Sequence, residues 1–217
     1  MERAPWCWLC MTPSPLIEGL SEPAYYHCPR CQLIFIDRKY LPDGDKERRI
    51  YELHENTWEN AGYVRMLTRF LDETVHPFIQ PPGRALDFGS GPGPVLAGLM
   101  MQCGFSVTCY DPYFSPDSKW EQSQYDVITT TEVLEHLHHP AREFSRLFRL
   151  LTPGGILAVM TQHHDDHDFS TWWYRRDPTH VCFYALETLR WIAGHWGFLL
   201  RKVGNGKYAV LQKPSSA

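Results

Sequence analysis

Nothing in this 217-residue chain approaches the ~20 consecutive apolar residues that span a bilayer. Its opening, Met1-Glu2-Arg3-Ala4-Pro5-Trp6-Cys7, lacks the basic-then-apolar pattern of a secretory signal. Positive charge is not in excess either. The 21 Lys and Arg stand against 25 Asp and Glu, and the net charge of −4 removes any general pull toward nucleic acid or an anionic membrane, a local basic patch aside. Internal repeats and low-complexity segments are missing. Cysteine is odd in number, seven in all with four at metal spacing, which argues against a disulfide framework. These absences point to a soluble, cytoplasmic protein with no membrane partner and no strong nucleic-acid signal. The length supports one domain with a sizeable core plus a small appendage.

The appendage is legible first. Cys7-x-x-Cys10 and Cys28-x-x-Cys31 are two knuckles at zinc-ribbon spacing, each aiming two thiolates at one ion. Together they complete a closed tetrahedral shell, so the expected zinc is structural, held by Cys7, Cys10, Cys28 and Cys31. His27 is a spare ligand candidate beside them. Trp6, Trp8, Tyr25, Tyr26, Leu33, Phe35 and Ile36 can bury a small core that the metal pins. Cys103, Cys109 and Cys182 read as small thiols of the interior. Residues 1–40 are thus expected as a zinc-ribbon arm. Residues 41–83 follow as a linker, with Pro42-Asp43-Gly44 as turn chemistry, and a helical cap with Val64, Leu67, Phe70, Leu71 and Val75 at helical spacing.

From residue 84 the pattern alternates. Strands are expected at 84–88, 105–110, 126–130 and 156–161, and helices at 95–103, 141–151 and 186–196, with closing strands at 198–203 and 208–212. This is α/β, a doubly wound, Rossmann-like, mostly parallel sheet. Its first strand ends in Asp87-Phe88-Gly89-Ser90-Gly91-Pro92-Gly93, a glycine turn that lets main chain approach a ligand before a helix begins. A carboxylate at that strand end is a poor neighbour for a pyrophosphate and a good one for a cationic or neutral ligand tail. Asp111 ends the second strand, where this fold places the acid that binds a ribose.

The run Asp87-x-Gly89-x-Gly91-x-Gly93 is similar to motif I of the class I S-adenosylmethionine (SAM) dependent methyltransferases. Asp126-Val127-Ile128 lies in a buried strand that leads into an expected helix with Val133-Leu134-Glu135-His136, Glu132 and Glu135 lying near its N-terminus, and resembles a later motif of that family, as does the turn Leu151-x-Pro153-Gly154-Gly155. The resemblance covers roughly residue 51 to the C-terminus. It implies SAM as cofactor, a terminal hairpin with an antiparallel C-terminal strand, and a cofactor site at Asp87, Gly89, Ser90, Gly91, Gly93, Asp111, Pro112, Thr131, Glu132 and Val133. In a bacterial group with this layout, the segment matching His54-Glu55-Asn56 and Gly62-Tyr63 lids the cofactor, which adds Tyr63. The sequence departs from the family at 112–125, too short for the usual third strand and its adenine-contacting acid. Adenine recognition stays unassigned between Asp117 and main-chain groups. An NAD-dependent oxidoreductase shares the glycine turn and Asp111, and a non-catalytic binding protein with a ribbon arm shares the whole layout.

Methyl transfer asks the protein to position an acceptor and, for many nucleophiles, to remove a proton. Residues 162–184 follow the expected strand at 156–161 and should lie over the carboxyl ends of the strands. Within them Tyr174-x-x-Asp177-Pro178-Thr179-His180-x-x-Phe183-Tyr184 resembles a motif of the same bacterial group. His180 is the expected base, Asp177 its orienting partner and His163 the second choice, with Trp172, Trp173, Tyr174 and Tyr184 excluding water. The His/Asp density of 163–168 also allows a second metal, although no i, i+4 pair or facial triad is spelled out there. The expected activity is transfer of a methyl group from SAM (EC 2.1.1.-) to a small molecule, a macromolecular acceptor not being excluded.

Overall fold

The strands from residue 84 onward send alternate side chains into two apolar layers, and that alternation builds the molecule. In the computed structural model, which describes residues 4–53, 56–165 and 167–215, β3 (Arg84–Phe88), β4 (Ser106–Tyr110), β5 (Tyr125–Thr131) and β6 (Leu151–Met160) run parallel. The hairpin of β8 (Leu199–Gly204) and β9 (Tyr208–Gln212) completes one sheet in the order β4-β3-β5-β6-β9-β8, with β9 antiparallel to both its neighbours. Ala85, Val127, Ile156, Ala158 and Val210 face α2 (Ala61–Thr74) and α3 (Val95–Gln102), whose Leu67, Phe70, Leu71, Leu96 and Met100 are buried against them. Leu86, Ile128, Leu157, Val159 and Leu211 face the other way, onto Phe144 and Leu147 of α4 (Pro140–Leu150) and Leu189 and Ile192 of α5 (Leu186–Trp196). The expected α/β, mostly parallel sheet with an antiparallel C-terminal strand is therefore the observed one.

Local chemistry sets the ends. Asp43 caps α1 (Gly44–Glu52) by accepting from Lys46 N at 2.8 Å, Asn60 caps α2 through Tyr63 N at 3.1 Å, and Gly197 stops α5 at φ 80°. Between β4 and β5 only a 3₁₀ turn (Ser118–Gln122) fits, so the sheet omits the strand that the family pattern would place there. Two expectations shift. The segment after β5 makes a single 3₁₀ turn (Leu134–His136) instead of a helix, because Pro140 opens α4 and biases the residue before it away from helical geometry. The Pro-Gly-Gly stretch joins β6 as a bulge, with Tyr125 opposite Leu151 but Val127 opposite Ile156, and Gly154 at φ 82°.

The N-terminal residues are tied into this body. β1 (Tyr25–His27) pairs antiparallel with β2 (Ile34–Ile36), and β2 pairs with β7 (Cys182–Phe183). Leu33, Phe35 and Ile36 share one buried cluster with Leu147 and Leu189 of the main layer. His54 and Glu55, expected in the cofactor lid, lie outside the described residues. Among the described residues no helix is long and apolar enough to cross a membrane.

Candidate functional site

A cavity of about 700 Å³ opens at the carboxyl ends of the parallel strands, where loops from β3, β4, β5 and β6 diverge. Asp87, Gly89, Ser90, Gly91, Asp111, Pro112, Thr131, Glu132, Val133 and Tyr63 all line it, as do Asp177 and His180. Gly93 and His163 are not part of that lining.

The glycine turn is shaped by contact as much as by conformation. Gly89 (φ 83°) and Gly91 (φ 64°) occupy the left-handed region, and a Cβ on Gly89 would collide with the Val133 side chain. Gly93 lies beneath the carbonyl of Asn56, so a side chain there has no room. A Cβ on Gly91 meets nothing within 4 Å, because this residue faces the cavity. Asp111 organises the rim: Oδ2 accepts from Gly91 N at 3.0 Å, and Oδ1 accepts from Tyr113 N at 2.8 Å and Phe114 N at 3.1 Å. Asp87 is 2% exposed, with Thr129 Oγ1 3.1 Å from its Oδ1. Burial pushes its carboxyl up to about 7, against the lowering effect of the Thr129 bond.

The opposite wall is a polar cluster. Glu132, at the end of β5, holds φ 53°, an uncommon conformation for a residue with a long side chain. The Tyr174 hydroxyl reaches both Glu132 Oε2, at 3.1 Å, and Glu135 Oε1, while Thr161 Oγ1 donates to Glu135 Oε2 at 2.8 Å. Burial, followed by the neighbouring Glu135, pushes Glu132 up to about 8, and burial raises fully enclosed Glu135 as well. His180 Nδ1 donates to the Tyr174 carbonyl at 2.7 Å, and its ring lies 4.1 Å from that of Tyr174. Asp177 Oδ2 is 3.9 Å from His180 Nε2, an ion-pair distance, and Oδ1 accepts from Thr179 N and Oγ1. Burial raises the Asp177 carboxyl, but the Thr179 bonds and the charges of His180 and His136 outweigh it and hold it below the usual range. His163 is 5% exposed beneath the loop, its N–H bonded to Gly206 O at 2.8 Å.

Sequence reasoning missed several contributors. Glu47 of α1 is buried and accepts from Tyr113 Oη, and its Oε1 is 3.0 Å from His138 Nε2. Tyr51 packs edge-on against His136 with centroids 5.3 Å apart. This helix falls in the region expected as linker and helical cap, and its mixed polarity gave no sign of facing the site. His136 Nδ1 donates to the Thr179 carbonyl at 2.9 Å, and its ring lies 4.8 Å from His180.

At the other end of the chain, the sulfurs of Cys7, Cys10, Cys28 and Cys31 lie within 4.8 Å of one another, with Cys7 to Cys31 at 3.5 Å and Cys10 to Cys28 at 3.3 Å. Backbone N–H groups of Leu9 and Cys31 point at Cys7 and Cys28 Sγ. The Cys31 thiol favours the Cys7 thiolate, while Cys7 and burial push Cys31 up. Cys103 is exposed and Cys109 half-buried, so only Cys182 of the remaining three matches the expected interior thiol.

The profile of a family described as a methyltransferase domain matches residues 58–203. No curated protein matches the sequence. Among solved structures, the chain is similar to the Burkholderia thailandensis 1,6-didemethyltoxoflavin-N1-methyltransferase with bound 1,6-didemethyltoxoflavin and S-adenosylhomocysteine (TM-score 0.58, 14% identity, 92% of this chain and 99% of that one). It is also similar to an O-methyltransferase family protein from Burkholderia thailandensis (TM-score 0.55, 18% identity, 80% of this chain), of whose length it spans 61%. The [4+2]-cyclase SpnF is a further likeness (TM-score 0.52, 16% identity, 81% of this chain and 98% of that one). These are likenesses of fold, and one fold serves several chemistries.

Proposed function

The chain belongs to the methyltransferase domain family, and on that premise we propose that it transfers a methyl group from SAM to a small-molecule acceptor held in the cavity. The observation that supports this most is Asp87, a buried carboxyl under a glycine turn. SAM carries an ammonium group that an ionised Asp87 would attract, whereas the pyrophosphate of a dinucleotide would be repelled there. Asp111 fits the ribose hydroxyls, and Tyr110, Tyr113 and Phe114 on the same rim offer flat apolar surface for an adenine.

The acceptor would then sit against Glu132, Asp177 and His180, which line the same space. Its proton is dealt with at His180, with Asp177 alongside. His163, buried off the cavity, would support the loop that carries them. Residues 84–217 form the methyltransferase unit in this reading, 41–83 its cap, and 1–40 a module in which four soft thiol ligands hold one structural zinc. Four sulfurs within 4.8 Å of one another fit that ion, and cysteines without a disulfide fit the reducing cytoplasm. Titrating tryptophan fluorescence with SAM and, separately, with NAD tests the reading. SAM should saturate at micromolar concentration and NAD should not, and the reverse order would replace the transferase with an oxidoreductase.

A further inference from the structure

Glu135, His136 and His180 bring one ligand atom each to within 4.8 Å of one another, although 44 positions separate the second histidine from the first. Both rings are held in the way metal ligands are held. Each gives its Nδ1–H to a backbone carbonyl, Thr179 for His136 and Tyr174 for His180. A carbonyl only accepts, so the proton sits on Nδ1 and the lone pair of the neutral ring sits on Nε2. The third group is a fully buried carboxylate with a second, Glu132, beside it. The two carboxyl groups are hydrogen-bonded to each other and to the hydroxyls of Tyr174 and Thr161.

We propose that Glu135, His136 and His180 bind a divalent cation at the edge of the cavity, and that the ion takes a hydroxyl-bearing acceptor. Two imidazoles and one carboxylate occupy three positions and leave others open. Neighbouring ligands of an ion with bonds of ~2.1 Å stand about 3 Å apart, so groups now within 4.8 Å of one another close by up to ~1.8 Å on binding. His136 and His180 line the cavity, which gives an acceptor oxygen access to the open positions. The proposal rests on the methyltransferase reading and makes His180 a ligand in place of a base, because its one lone pair, on Nε2, is taken up by the ion. The ion lowers the pKa of the bound hydroxyl, whose proton passes to the Asp177 carboxylate and on to water. The acceptor oxygen then forms its bond to the methyl carbon as the carbon–sulfur bond breaks. That bonding pair returns to sulfur, leaving a neutral thioether and a methyl ether.

The test uses the full-length protein and Mn²⁺ alone, followed by the loss of the sharp electron-paramagnetic signal of the free ion. Thiolates disfavour this ion, so the four-cysteine cluster stays silent. The wild type should bind about one Mn²⁺ per chain. Glu135→Gln, which keeps its hydroxyl partners, and His136→Ala, which is half-exposed, should each weaken binding at least tenfold while remaining folded by circular dichroism. SAM is titrated into the same samples. Protein that binds SAM but leaves the Mn²⁺ signal undiminished overturns the ion site and keeps the transferase. Equal Mn²⁺ binding in wild type and both variants also overturns it, and failure to bind SAM removes the transferase reading itself.

Discussion

Asp87 is a carboxyl whose burial makes ionisation harder than in water. Buried and pushed up to about 7, it is largely protonated below neutrality in the free protein. An ammonium group bound beside it favours the charged form, so SAM binding releases a proton there. Affinity should therefore tighten about tenfold between pH 6 and pH 8 and level off above, and Asp87→Asn should flatten that profile. The free protein shows the opposite sign. A folded pKa above the unfolded 3.8 stabilises most below that value, and the contribution is lost as pH rises toward 7. Neighbouring glycines separate in the same way. Gly91→Val forces a β-branched residue to φ 64° and fills cavity space, so SAM affinity should fall at least tenfold with a modest drop in melting temperature. Gly93→Ala meets the Asn56 carbonyl and should lower the melting temperature first. The glycine spacing was readable in the sequence, but which glycine faces ligand and which faces main chain depends on where Asn56 folds. His180→Ala should lower turnover by about 10²–10⁴-fold with SAM affinity nearly unchanged, and Asp177→Asn should lose less.

At the scale of elements, the two-residue strand β7 joins the N-terminal hairpin to the site. Cys182 and Phe183 pair with β2, and two residues earlier the same segment holds His180. Metal in the cysteine cluster would pin β1 and β2 and, through them, this stretch. Cys28→Ser should lose the single expected zinc, raise amide exchange in 25–36 and in 181–183, and lower turnover through a site it does not touch. An arm that loosens while 181–183 keeps its protection would break this link. Helices α2 and α4 were legible because their apolar faces repeat at helical spacing. A pair of β residues has no period to read, and the residues preceding it spell out only a turn. Glu132 likewise looked like part of a capped helix, whereas the single 3₁₀ turn before Pro140 swings Glu135 inward and His136 toward the cavity.

For the whole molecule, two buried layers on one sheet place every loop after β3, β4, β5 and β6 around a single cavity. The mostly parallel sheet followed from the alternating apolar runs and the glycine turn, and its antiparallel C-terminal strand from the family resemblance. The polar wall did not, because Glu135, Thr161, Tyr174 and His180 meet only when the 162–184 loop closes over the strand ends. That wall is where a fold shared with a cyclase becomes, on this account, a transferase. The decisive measurement is incubation of the purified protein with methyl-labelled SAM, Mn²⁺ and a small-molecule cell extract, followed by mass analysis of both cofactor and labelled products. Transfer should yield S-adenosylhomocysteine in equal amount to a labelled methyl ether, with both lost in His180→Ala. Saturable SAM binding with neither product formed, in extract and metal that sustain the folded protein, would contradict it.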